Sequence, residues 1–176
     1  AKVINMSFGK GFSPEKTAVD DAVKYAQKHD VLLVHAAGND AKDTDTNFNF
    51  PTNKYAKHKL FGAKESKNWL EIGALSWKGG ENSLATFSNY GKHKVDVFAP
   101  GVDIYSTIPD NGYASFSGTS MASPVTAGLA ALLRSYFPGL NAQQVKEIIL
   151  KTATNDKDKE VLLPGSTDKK INVRGL

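Results

Sequence analysis

Residues 116–124, Phe-Ser-Gly-Thr-Ser-Met-Ala-Ser-Pro, form a turn of small polar residues that runs without a break into an apolar helix. Val125, Ala127, Leu129, Ala130, Ala131, Leu132 and Leu133 follow with hardly a polar side chain among them. A helix that is apolar nearly all round is expected in an interior, so the chain must build its core around residues 119–136. The turn delivers Ser120 to the first turn of that helix, where free N–H groups and the positive end of the macrodipole favour negative charge. Two roles stand open for Ser120: a helix-capping residue, or an acyl-transfer nucleophile whose own N–H helps to bind an oxyanion. Pro124 lacks an N–H and so leaves a carbonyl near Ser120 without its usual partner. Gly118 and Gly128 are expected to allow close backbone approach on either side.

Around this stretch, strands and helices alternate. Val3–Phe8 reads as a buried strand ending in the turn Gly9-Lys10-Gly11. Ser13 with Pro14 behind it is a helix-start signal, and Val19, Ala22, Val23 and Ala26 supply an apolar stripe at helical spacing. Val31–Val34 is a continuous apolar run, the kind buried on both faces of a parallel sheet, which completes a βαβ unit. The polar segment from Asp40 to about Asn68 is long for a structureless loop, and Phe48, Phe50, Pro51 and Tyr55 are expected to pin it down. A third strand is read at 70–75, with short strands near 95–98 and 104–107. After the break Phe137-Pro138-Gly139, Asn141 caps a last helix with Gln144 as its capping-box partner. From Asn155 the chain reads as a charged loop. The pattern predicts an α/β fold with a mainly parallel sheet flanked by helices.

The formal charge of +4 comes from 22 basic and 18 acidic residues, and the lysines are spread along the chain. That distribution is a solvated surface and argues against nucleic-acid binding. Without cysteine there is no disulfide framework and no thiolate metal site. No apolar run reaches the ~20 residues that span a bilayer. Because Ala1 leads straight into an apolar strand, the chain is expected to be a piece of a larger domain.

Gly118-Thr119-Ser120-Met121-Ala122-Ser123-Pro124 resembles the nucleophile motif of the subtilisin-like serine proteases, a long and specific string. Taken alone Asn39 reads first as a turn residue with Asp40, but Ala36-Ala37-Gly38-Asn39 resembles that family's oxyanion-asparagine segment. Val3–Gly9 resembles the strand whose backbone pairs with substrate, and 85–91 with 96–101 resembles the segment before the nucleophile. The resemblance covers about residues 1–155 in register. It implies Ser120 and Asn39 as catalytic residues. It also implies that Ser7, Phe8, Gly9, Ala36, Ala37, Gly38 and Thr119 bind a protein or peptide substrate. Export to the cell envelope or beyond, and bound calcium, are further implications; Asp43 and Asp45 are the only calcium lead.

The family order is Asp, His, Ser, yet the contexts of its aspartate and histidine do not occur here. His29, His58 and His93 read as solvated surface, and His35, late in a buried strand, as a packed or hydrogen-bonded residue. Residues 1–176 are therefore expected to be the carboxyl-terminal portion of one peptidase domain. The amino-terminal half is the expected partner, the chain alone is expected to be inactive, and an open sheet edge invites self-association. Two rival readings stand: a degenerate, non-catalytic protease-like domain used for binding or scaffolding, and an unrelated α/β hydrolase with His35 as base.

Overall fold

The computed structural model of the chain describes residues 1–56, 64–154, 160–164, 166–167 and 170–176. Four parallel strands lie in sequence order: β1 (Val3–Met6), β2 (Leu32–Ala36), β3 (Trp69–Leu75) and β4 (Val97–Pro100). Helix α1 (Lys16–Lys28) links β1 to β2. A hairpin of β5 (Ile104–Ile108) and β6 (Gly112–Phe116) precedes α2 (Thr119–Tyr136) and α3 (Ala142–Thr152). A second hairpin, β7 (Glu160–Leu162) with β8 (Lys170–Asn172), closes the chain.

Strand alternation divides the core. Leu32, Val34, Leu70, Ile72, Val97 and Ala99 pack with Ala122, Ala127 and Ala130 of α2 and with Val145 and Ile149 of α3. Met6, Leu33 and Trp69 pack with Val23 and Ala26 of α1 in a separate cluster. Every residue of β2 is buried, which is why its sequence is apolar without alternation apart from His35. The residues that α2 sets against the sheet are mostly alanine, serine and threonine, and such small side chains let the helix axis come close.

Several expectations need correction. Helix α2 is not buried all round: Val125 is 39% and Leu132 54% exposed, because sheet and α3 cover only one side. Gly128 makes no close approach, since a Cβ there would meet nothing within 4 Å. Helix α1 starts at Lys16, not at Pro14; its cap residue Glu15 makes no side-chain cap bond. The buried Asp20 steadies that first turn instead, with the half-buried Lys16 Nζ 2.6 Å from its Oδ1 and Ala56 N–H donating to its Oδ2 at 2.6 Å. Residues 112–116 pair with 104–108 through the turn Pro109-Asp110-Asn111, where Asp110 and Asn111 take φ of 61° and 57°. The segment after Asn155 is not wholly loop, since β7 and β8 pair there. In the long polar segment Tyr55 is buried as expected, but Phe48 is 63% exposed. His29 and His93 are exposed, and His58 lies outside the described residues.

The capping box forms as read, with Asn141 Oδ1 accepting from Gln144 N–H and Gln144 Oε1 from Asn141 N–H, both at 2.9 Å. Asp30 ties this helix start to α2. Its Oδ1 accepts Ala142 N–H at 2.7 Å, and its Oδ2 lies 2.5 Å from the buried Arg134 guanidinium. Burial opposes ionisation of Asp30, but the Ala142 N–H and Arg134 outweigh it and hold the carboxyl below its ordinary range. A depressed carboxyl adds stability above the unfolded-state value, and that stability is lost as pH falls through the folded-state value. Asp30→Asn is therefore expected to weaken the fold at neutral pH and to flatten the loss below about pH 4. Urea unfolding across that range checks it; an unchanged acid limb would remove the role.

Candidate active site

Ser120 is the second residue of α2 and half-buried at the rim of a cleft. Gly118 C=O accepts from Met121 and Ala122 N–H at 3.0 and 3.3 Å, while among the described residues Ser120 N–H has no acceptor. It is one of the free donors that a helix start leaves. The Ser120 carbonyl, deprived of a helical partner by Pro124, accepts the Ser7 hydroxyl at 2.8 Å. Ser120 Oγ in turn lies 3.3 Å from the Ser7 carbonyl oxygen. Asn5 Nδ2 donates to Ser7 Oγ at 3.0 Å, and Ser123 Oγ donates to Asn5 Oδ1 at 2.7 Å. The end of β1 is thus laced to the first two turns of α2. Asn5 and Ser123 were not singled out from the sequence; a polar amide within the apolar run of β1 is the one signal that marks Asn5.

Asn39 follows β2 at the carboxyl end of the sheet, where open α/β folds place their sites. Its Oδ1 accepts both Thr119 N–H and the Thr119 hydroxyl, each at 2.9 Å. A backbone N–H only donates, so the atom facing it must be the amide oxygen, and Nδ2 is left free to donate. Thr119 Oγ1 also accepts Gly38 N–H at 3.1 Å. From behind, Asn89 Nδ2 donates to Ala37 C=O at 2.8 Å, and Asn89 Oδ1 accepts Asp40 and Lys42 N–H. Ser120 N–H and Asn39 Nδ2 are therefore two uncommitted donors on adjoining elements.

The cleft, about 690 Å³, is lined by Phe8, Gly9, Ala36, Gly38, Asn39, Thr119 and Ser120 among others. Two residues implied to bind substrate do not line it. Ser7 commits its hydroxyl to Ser120, and Ala37 is wholly buried beside Leu84 and Phe98. Asn49, unmarked in the sequence, does line it, donating through Nδ2 to Ala36 C=O at 3.0 Å. A Cβ on Gly9 would lie 2.2 Å from Asn49 Oδ1, so glycine is what leaves room for that amide.

His35 has no nitrogen to offer Ser120. Nδ1 faces the Glu71 carboxylate at 2.9 and 3.0 Å, and Nε2 faces the Phe8 carbonyl at 2.8 Å. That removes His35 as the base of an unrelated hydrolase. The Asp43/Asp45 loop does not suit calcium either. Asp43 Oδ1 accepts Asp45 N–H, and the Asp45 carboxylate accepts His93 and Lys94 N–H with the Lys94 ammonium bonded to the same loop. Among the described residues no group of three or more metal-binding side chains converges.

The model of the subtilase family matches residues 1–165. Alkaline elastase YaB of Bacillus sp. (strain YaB) is 39% identical over 153 residues, covering 87% of this chain and 35% of that protein. Subtilisin DY of Bacillus licheniformis is 40% identical over 154 residues, covering 87% and 50%. The crystal structure of a cold adapted subtilisin-like serine proteinase superposes with a TM-score of 0.74 at 31% identity, covering 99% of this chain and 54% of that one. The chain thus spans about a third to a half of the length of these curated relatives. With the family model matching nearly the whole chain, residues 1–165, the chain belongs to the subtilase family.

Proposed function

We propose that the whole protein is a serine endopeptidase that cleaves peptide bonds of protein or peptide substrates through an acyl-enzyme on Ser120. The observation that carries this is the lock on Asn39: Thr119 takes its amide oxygen and leaves Nδ2 to act beside Ser120 N–H. In this reading Ser120 Oγ attacks the scissile carbonyl carbon, and its proton passes to a histidine base. Ser120 N–H and Asn39 Nδ2 hold the oxyanion. Collapse expels the amine with that proton, and water then releases the acyl group.

The base and its orienting aspartate come from a companion amino-terminal half of the domain. Supporting this, Ser120 Oγ donates to a carbonyl oxygen rather than to a base, and His35 is committed elsewhere. The companion would also cover the open edge of β1 and the apolar face of α2 around Val125 and Leu132.

A fluorophosphonate probe tests the proposal, because an activated serine displaces fluoride and keeps the phosphonyl group. The chain alone is expected to stay unlabelled. Mixed with a polypeptide carrying the Asp- and His-bearing half of a subtilase domain it should label, and Ser120→Ala should abolish the labelling. Failure to label in a folded assembly would instead support the non-catalytic binding domain.

A further inference from the structure

The proposed chemistry leaves one buried titratable pair without a role. His35 is fully buried and Glu71 only 8% exposed, in mid-sheet, where every neighbour along β2 is apolar. Such a pair adds little stability over apolar residues of the same volume, so its geometry invites another explanation. A carbonyl oxygen only accepts, so Nε2, facing Phe8 C=O, carries a proton. Nδ1 faces both oxygens of a carboxylate, one of which also accepts the Trp69 indole N–H at 2.8 Å. The Phe8 contact therefore fixes Nε2 as a donor, while Nδ1 rests against the Glu71 carboxyl. Around the pair, Lys94 borders the same small cavity as Glu71, and Asp96 accepts the Glu71 backbone N–H. The rings of Phe8 and Trp69 flank His35 at 6.4 and 5.2 Å between centroids.

The geometry points to His35 as a positioning residue for the substrate cleft, acting through the Phe8–Gly9 peptide plane. In a trans peptide, C=O and N–H point in opposite directions. With the Phe8 carbonyl held inward by His35, the Gly9 N–H is turned away from the ring, and Phe8 and Gly9 both line the cleft. Among the described residues nothing accepts the Gly9 N–H. It stands ready for the backbone carbonyl of an extended peptide lying along this strand. This role rests on the reading that the cleft takes peptide substrates.

Two measurements test it separately from catalysis. In the chain labelled with nitrogen-15, imidazole spectra at neutral pH should show a proton on Nε2 of His35. The Gly9 amide resonance should shift in His35→Leu. In Glu71→Gln it should stay, because a glutamine amide can donate to Nδ1 while Nε2–H still holds Phe8. An Nε2 without a proton in the parent chain, or an unmoved Gly9 amide in folded His35→Leu, overturns the role. In the assembled enzyme, His35→Leu should raise KM for extended peptides about three- to tenfold, the loss of one aligned hydrogen bond. Short ester substrates that do not reach Gly9 should be unaffected, and an equal effect on both classes also overturns it. Absence of any turnover in the parent assembly counts against the endopeptidase reading alone, since the spectra still decide the position of the ring.

Discussion

Asn39→Ala in the assembled enzyme is expected to lower the rate of acylation by ~10²–10³. That magnitude is carried over from loss of the oxyanion asparagine in subtilisin itself, a member of this family, and does not come from the present geometry. What the geometry adds is which atom is lost and what stays. Asn39 Oδ1 is committed twice to Thr119, so only Nδ2 reaches a reacting group. Asn39→Asp separates the two functions, since a carboxylate keeps both bonds to Thr119 but has no N–H to donate. Its added negative charge also opposes an oxyanion, so it should fall at least as far as alanine. Both variants should lower kcat far more than they raise KM, the mark of an interaction made in the transition state. Turnover of a peptide substrate by the two variants decides it. A loss below tenfold in either would remove Asn39 from the proposed mechanism.

How much was legible in the sequence follows from where local signals dominate. The bounds of α2 and the Asn141–Gln144 capping box were readable because glycine, proline and capping side chains act on their own neighbours. The start of α1 was misread because Ser13 and Pro14 are good local signals, yet the long-range grip of Asp20 on Ala56 N–H steadies a later first turn. Strand β5 was read near 104–107, but its partner β6 was missed although Pro109-Asp110-Asn111-Gly112 is a strong turn sequence, since a short exposed strand offers little apolar pattern. In the site, Ser120 and Asn39 stood out by motif. Asn49, Asn89 and the Asn5–Ser7–Ser123 chain did not, because each works through partners at least 13 residues away or through a relay that joins two elements. The pairing of His35 with Glu71 needs the register of β2 on β3, which no single-strand pattern contains.

Gly101→Ala is expected to damage fold and site together, because Gly101 is the floor beneath the nucleophile turn. A Cβ there would lie 2.7 Å from Ala74 Cβ, 2.9 Å from the Gly118 carbonyl oxygen and 3.2 Å from Ala122 Cβ. None of these is the tip of a flexible side chain. Two are methyls fixed to a central strand and to the buried side of α2, and the third is backbone. Gly118 C=O also accepts the first helical bonds of α2, and Gly118 N–H donates to Gly101 C=O at 2.8 Å. An added methyl must therefore lift the turn that carries Thr119 and Ser120 away from β3. Overpacking of this kind typically costs about 1–3 kcal/mol. A displacement near 1 Å at a reacting group costs about 10²-fold in rate. Urea unfolding should read the first loss, and fluorophosphonate labelling of the assembled enzyme the second. Gly128→Ala on the same helix is the contrast: with nothing within 4 Å of the added methyl, it should stabilise the chain by about 0.5–1 kcal/mol through helix propensity. If Gly101→Ala left both stability and labelling unchanged, the close contact of strand, turn and helix would not be what holds Ser120 in place.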